Sequence, residues 1–151
     1  MNKIVVILLV LGAVQWWFKD PTIDTYTNDV SFNYVVKYSG NANHSDKLPM
    51  LIALHGNGDT PLNFYETALD QLQSPARIIL LEGPISFGSG SAWPWKTSEL
   101  NKFGKGVSEV VEILSAKFAT KEKPILLGYS GGGMMAYYQA LKHGHNYSYI
   151  F

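Results

Sequence analysis

The stretch PILLGYSGGGMM at residues 124–135 constrains the fold of this chain more than any other. A short apolar run leads into Gly-x-Ser-x-Gly, formed by Gly128, Ser130 and Gly132, and an apolar helical pattern follows at once. A serine on a sharp turn between a strand and a helix has a strained backbone and needs small neighbours. The stretch therefore predicts a turn that presents the Ser130 hydroxyl as a nucleophile.

Apolar runs alternate with amphipathic stretches along the rest of the chain. Strands are predicted at residues 30–38, 49–54, 77–81 and 147–151, and from Pro124 towards Ser130. Helical spacing marks three segments between them, with Leu62, Tyr65, Leu69 and Leu72, then Val107, Val110, Val111, Leu114 and Phe118, then Met134, Met135, Tyr138 and Leu141. Residues 20–29 and 85–98 are predicted to lie outside helices and strands. This order predicts one α/β domain with a mostly parallel sheet, right-handed crossovers and Met134 and Met135 in the core.

A serine nucleophile needs a base for its proton and N–H donors for the oxyanion that forms on the acyl group. The turn itself supplies the backbone N–H of Gly131. The loop HGNG at residues 55–58 follows a buried strand, and the backbone N–H of Asn57 is the candidate second donor. Alone, Gly-x-Ser-x-Gly also fits a purely structural glycine-rich turn, but its place between strand and helix favours the nucleophile.

Four pieces of the chain carry a resemblance to a known family: PMLIALHGNGD at 49–59, EGP at 82–84, AWPW at 92–95 and GYSGGGM at 128–134. The chain resembles the carboxylesterase/phospholipase family that includes the acyl-protein thioesterases, over about residues 49–151. The resemblance implies the α/β-hydrolase fold and the hydrolysis of small-molecule esters or thioesters without metal or cofactor. It implies Ser130 as the nucleophile and Asn57 and Gly131 as the oxyanion donors. Many members have Gln where this chain has Gly131.

The catalytic acid and base are the main departure from that family. In this superfamily they follow the nucleophile in the order Asp or Glu, then His. His143 and His145 are expected at the far end of the third helix, and His55 is expected to belong to the oxyanion loop. Asp59 is expected to fix the start of a helix. We therefore interpret residues 20–151 as a partial α/β-hydrolase domain that lacks the triad acid and His, and the alternative is a catalytically silent or non-enzymatic binding domain.

Trp93 and Trp95 are candidates for lining the substrate cleft. Their loop follows the carboxyl end of a strand, which is where ligands bind in open α/β sheets. Ordinary packing is an equal alternative for both side chains.

Composition narrows the partners and the location. The chain has 12 basic and 12 acidic residues, so its charge provides no reason to expect a nucleic acid partner. It has no cysteine, which excludes disulfides and thiolate chemistry. Within residues 1–19, Lys3 is followed directly by an unbroken apolar run shorter than a bilayer span, as in a signal peptide or an N-terminal membrane anchor. Export to the periplasm or medium, or membrane attachment, is the resulting expectation.

Overall fold

The computed structural model describes residues 24–27 and 30–151. Eight strands lie in these residues: β1 (Asp24–Thr27), β2 (Ser31–Ser39), β3 (Met50–Leu54), β4 (Ala76–Leu81), β5 (Ile85–Phe87), β6 (Gly90–Ala92), β7 (Ile125–Gly128) and β8 (Tyr149–Ile150). The α-helices are α1 (Pro61–Phe64), α2 (Thr97–Lys117) and α3 (Gly131–His143). A π-helical turn at Tyr65–Leu69 continues α1, and a 3-10 turn at Gly144–Asn146 follows α3.

One sheet has the strand order β1-β2-β4-β3-β7-β8, and β5 and β6 form a separate hairpin. Strand β3 is parallel to both β4 and β7, and β7 is parallel to β8, while β1 and β2 are antiparallel additions. The chain passes from β3 to β4 on one side and later returns to β7 on the other side of β3. Such a reversal opens a crevice at the carboxyl ends of the strands, here where Leu54 pairs with Gly128. The predicted mostly parallel α/β sheet is confirmed.

Apolar side chains cover both faces of the sheet, because successive residues of a strand point to opposite faces. Ile52 and Leu54 of β3 pack with α2 and α3, whereas Ala53 packs on the opposite face with Phe64 of α1. This double burial explains why the inner strands are continuous apolar runs in the sequence.

The structure differs from the sequence-based prediction at the hairpin and at the first strand. Residues 85–92 were expected to be irregular but form β5 and β6, joined by a tight turn with Gly88 at φ +62°. Residues 24–27 form β1 by pairing with β2 at the sheet edge, which requires backbone hydrogen bonds but no apolar alternation.

The prediction for Met134 is wrong. Met135 is fully buried, whereas Met134 is 50% exposed, since it lies on the side of α3 that faces away from the sheet. The helix begins at Gly131, so the buried stripe consists of Met135, Ala136 and Gln139.

The predicted leader at residues 1–19 lies outside the described residues. Among the helices of residues 24–27 and 30–151, none combines the length and apolar character that crossing a membrane requires.

Candidate active site

Ser130 lies on a sharp turn between β7 and α3. Its backbone has φ +50° and ψ −113°, and only Asn41 joins it as a non-glycine residue of positive φ among the described residues. Such a conformation costs about 1–3 kcal/mol and persists only where the surroundings enforce it. Here the Tyr129 N–H donates to Leu54 O at 3.0 Å, and the Met134 N–H donates to Ser130 O at 3.1 Å. The Ser130 side chain makes no capping hydrogen bond to α3.

The two outer glycines of the motif allow close backbone packing. A Cβ on Gly128 would lie 2.6 Å from the carbonyl carbon of Gly132 and 2.8 Å from the Cβ of Ala136. A Cβ on Gly132 would lie 2.6 Å from His55 O. Only glycine fits at either position, which brings the start of α3 directly against the end of β3.

The loop after β3 lies beside Ser130. A Cβ on Gly56 would be 3.5 Å from the Cβ of Ser130 and 3.1 Å from the Tyr129 ring. The structure therefore brings together the two motifs that the sequence singled out, residues 55–58 and 128–132.

Asn57 is exposed, and its side chain bridges two loops. Its Oδ1 accepts a hydrogen bond from the Trp93 backbone N–H at 2.9 Å. The same amide lies against Gly131: a Cβ there would overlap Oδ1 and lie 2.5 Å from Cγ and 2.9 Å from Nδ2 of Asn57. The side chain of Asn57 thus fills the space that a larger residue 131 would need.

His55 is fully buried and both of its ring nitrogens have partners. The Gly83 N–H donates to Nε2 at 3.0 Å, so the ring proton is on Nδ1, which donates to Gly56 O at 2.7 Å. Ser91 Oγ lies 3.1 Å from Nε2 as well. His55 therefore holds the loops together and is not free to accept a proton from Ser130.

The other three histidines of the chain lie away from Ser130. His143 is the last of the 13 residues of α3, a helix about 20 Å long that begins beside Ser130, and His145 follows it in the 3-10 turn. Burial, with the nearby charges of His145 and Lys142, lowers the pKa of His143 from its usual 6.5 against the opposing effect of Glu112. The backbone O of His44 accepts from Arg77, near the start of β4, at the opposite edge of the sheet.

Two acidic side chains at the carboxyl edge of the sheet, where Ser130 lies, already have hydrogen-bond partners. Asp59 Oδ1 accepts from the Thr60 N–H at 2.8 Å and from Asn63 Nδ2 at 2.7 Å, which fixes the start of α1 as the sequence indicated. Glu82 accepts from Asn33 Nδ2 at 2.8 Å. No group of three or more side chains suited to hold a metal ion exists in the part of the chain that the structure describes.

Comparison with known proteins identifies the fold. No protein-family model matches the chain, and no curated protein matches it. The solved carboxylesterase of Bacillus cereus matches with a TM-score of 0.60 and 20% identity, over 76% of this chain and 55% of that one. A soluble variant of monoglyceride lipase from Saccharomyces cerevisiae matches with a TM-score of 0.59 and 18% identity, over 87% of this chain and 44% of that one.

A third match is the thioesterase domain from the curacin biosynthetic pathway, with a TM-score of 0.59 and 16% identity, over 85% of this chain and 42% of that one. The chain has the α/β-hydrolase fold. It spans about half the length of these three structures.

In this α/β-hydrolase fold the two candidate tryptophans have different environments. Trp93 is 2% exposed, stacks on Phe32 with ring centroids 6.4 Å apart, and donates from Nε1 to His55 O at 2.9 Å. Trp95 is 70% exposed. Both border a cleft of about 240 Å³ that Asn57, Ile85 and Phe87 also line.

The hairpin contributes contacts that the sequence reasoning missed. Ser91 of β6 accepts at its backbone O from the Gly58 N–H at 2.8 Å, and its N–H donates to Asp59 O at 3.0 Å. Gly90 packs so closely on Asp59 that no side chain fits there. The small residues of GSGSA at 88–92 were the available signal, because they indicate a close backbone approach.

Proposed function

We propose that this chain carries the nucleophile and the oxyanion donors of a serine hydrolase of carboxylic esters or thioesters that acts through an acyl-enzyme on Ser130. The observation that carries the proposal is the positive φ of Ser130 at the end of β7, directly beside the loop that contains Gly56 and Asn57. A strained serine at the carboxyl edge of a parallel sheet, between two oxyanion donors, is the arrangement that acyl transfer needs.

The proposed reaction uses these groups in order. Ser130 Oγ attacks the acyl carbonyl and loses its proton to a base, while the backbone N–H groups of Gly131 and Asn57 stabilise the oxyanion. The intermediate collapses by breaking the bond to the alcohol or thiol, which takes up the proton. Water then attacks the acyl-enzyme and releases the acid and free Ser130.

The base is the group for which no histidine is available at Ser130 among the residues that the structure describes. All four histidines lie in the described residues; His55 is buried with its ring nitrogens engaged, and the others lie away from Ser130. This observation favours a second candidate, a catalytically silent domain that binds acyl compounds. We expect the chain alone to turn over a chromogenic short-chain ester slowly or not at all.

Imidazole in solution distinguishes the two candidates by acting as the missing base. We expect a fluorophosphonate to label the full chain in the presence of imidazole, with Ser130 Oγ bonding to phosphorus, fluoride leaving and imidazole taking the proton. Ser130→Ala should abolish the labelling, whereas Ser89→Ala, at an exposed serine of the hairpin turn, should not. Labelling that is absent or independent of Ser130 would leave the binding domain as the better description.

We also propose that the cleft beside Trp95 takes the acyl or alcohol group of the substrate. Ile85 and Phe87 line it with Trp95, so it presents apolar surface to a ligand. Export guided by residues 1–19, or attachment to a membrane through them, is part of the same proposal. Mass spectrometry of the protein secreted from a bacterial host would show whether these residues are removed.

A further inference from the structure

The structure points to the side-chain amide of Asn57 as a third oxyanion donor, beyond the two backbone N–H groups, and this inference rests on the proposed function. Its starting observation is the hydrogen bond from the Trp93 N–H to Asn57 Oδ1 at 2.9 Å. Because an N–H can only donate, this bond assigns the oxygen of the amide and leaves Nδ2 on its other side.

The amide plane lies beside the nucleophile turn. Of the amide atoms, Oδ1 is nearest to the point where a Cβ on residue 131 would stand, and Nδ2 is 2.9 Å from that point. Gly131 carries one of the proposed donor N–H groups. A Cβ on Gly56, the residue before Asn57, would lie 3.5 Å from the Cβ of Ser130. The Asn57 amide therefore lies against the residue that follows Ser130, in the loop that packs beside Ser130, and the proposal assigns to Nδ2 the role of donating to an oxyanion that forms there.

The glycine at residue 131 is what makes this arrangement possible. Any larger residue there would overlap the Asn57 amide and displace it. Asn57 and Gly131 are consequently a matched pair, in which the loop after β3 supplies an amide and the turn supplies the room for it. Nδ2 carries two N–H donors, and Asn57 is an exposed residue.

The alternative role of Asn57 is structural, since Oδ1 ties its loop to Trp93. Asn57→Asp separates the roles, because a carboxylate still accepts from the Trp93 N–H but offers a negative charge where the oxyanion forms. Asn57→Ala removes both the acceptor and the donor. Asn43→Ala, at an exposed loop residue on the opposite edge of the sheet, is the matched control.

The test measures the rate of fluorophosphonate labelling of the full chain at pH 8 with added imidazole. If Nδ2 is a donor, the rates fall in the order parent, Asn57→Ala, Asn57→Asp. Losing one oxyanion donor costs about 100-fold or more in rate in well-studied hydrolases, and we expect at least about 10-fold for Asn57→Ala. Asn43→Ala should match the parent.

Two results would overturn the inference while leaving the proposed function intact. One is Asn57→Asp labelling like the parent while Asn57→Ala is slow, which would assign Asn57 to loop positioning only. The other is equal rates in both variants and the parent. A parent chain that is not labelled at Ser130 would instead refute the proposed function, and the inference with it.

Thermal unfolding of each variant shows whether a slow labelling rate reflects loss of the fold. Asn57→Asp retains the hydrogen bond to Trp93, so it remains informative if Asn57→Ala unfolds.

Discussion

The side-chain amide of Asn57 lies against the Cα of Gly131, in the volume that a side chain on residue 131 would occupy. This contact joins the loop after β3 to the first residue of α3. It also explains why Asn57 in this loop is accompanied by glycine directly after Ser130, since a larger residue there would overlap the Asn57 side chain.

The contact predicts a non-additive pair of substitutions. Gly131→Ala should destabilise the chain by about 1–3 kcal/mol, because the new methyl group overlaps the Asn57 amide. In an Asn57→Ala background the same change should cost much less, since the overlapping atoms are gone. Urea denaturation of the four proteins measures this double-mutant cycle.

Gly133→Ala is the matched control for this cycle. Its Cβ would lie 3.3 Å from Gly128 O and would overlap no part of Asn57, so its effect should be small and the same in both backgrounds. Additive effects of Gly131→Ala and Asn57→Ala would contradict the contact.

The strain at Ser130 predicts that glycine stabilises this position. Glycine adopts positive φ without the cost that other residues incur, so Ser130→Gly should unfold at higher urea than Ser130→Ala. We expect a difference of about 1 kcal/mol. Because both variants lack the hydroxyl, the comparison isolates the backbone, and equal stability would show that the turn is not strained.

The hydrogen bonds of His55 predict a large loss of stability on its removal. His55→Ala would leave the buried Gly83 N–H without its acceptor and open a cavity beside Trp93, at a cost of about 3 kcal/mol. His44→Ala is the control, since His44 is exposed and only its backbone makes a described contact, and should change the free energy of unfolding by less than about 0.5 kcal/mol. Similar small losses for both would refute the structural role of His55.

The environment of His143 predicts a titration below the usual range of histidine. Burial disfavours its charged form, and the nearby charges of His145 and Lys142 act in the same direction while Glu112 opposes them. Titration of the ring protons by NMR should therefore give a pKa below 6.5, and His145→Gln should raise it.

The same shift has a defined effect on stability. A lowered pKa in the folded state means that the unfolded chain binds the proton more tightly, so His143 stabilises the fold above pH 6.5 and this contribution is lost as the pH falls. His143→Gln should accordingly gain stability relative to the parent as the pH falls below 6.5. A relative loss on acidification would contradict this sign.

An apolar face at one edge of the sheet predicts self-association. This face, called here the edge face, consists of exposed side chains of α3 and of the chain from β8 onward: Met134, Tyr137, Leu141, Tyr149 and Phe151. In the described sheet β8 has β7 on one side only, and an unpaired apolar edge strand promotes association. Light scattering during gel filtration should show a mass that rises with protein concentration.

Charged substitutions on the edge face test whether it is responsible. Tyr137→Lys combined with Leu141→Lys should lower the apparent mass towards the monomer. Ile113→Lys, at an exposed apolar residue of α2, is the control and should leave the association unchanged. A parent chain that is monomeric at all concentrations would refute the prediction.

The sheet itself was predictable because burial on both faces leaves a direct trace in the sequence. Residues 49–54 and 77–81 are continuous apolar runs, and they became the inner strands β3 and β4. The turn at Ser130 was predictable for a similar reason, since Gly128 and Gly132 occupy positions where no side chain fits. The anchoring role of Asp59 at the start of α1 followed from local chemistry alone.

Other features depended on contacts between distant segments. The helical spacing of α3 did not distinguish Met134 from Met135, because which side of a short helix is buried depends on how it packs on the sheet. The tryptophans of AWPW are alike in sequence, yet Trp93 is buried against Phe32 and Trp95 is exposed.

The sequence by itself determined the order of the strands from β2 to β4 with β7 and β8 and of the three helical segments between them, the strained turn that holds Ser130, and the glycine-rich loop at residues 55–58. Each of these depends on local periodicity or on the size of a residue. Only the tertiary structure decided what surrounds Ser130. The reversal of strand order at β3 places Gly56 beside Ser130 and the Asn57 amide over Gly131. The ring of His55, at the end of β3, accepts a hydrogen bond from the N–H of Gly83, which follows β4. These relationships join residues 28 to 74 positions apart in the sequence, and no local pattern encodes contacts over such separations.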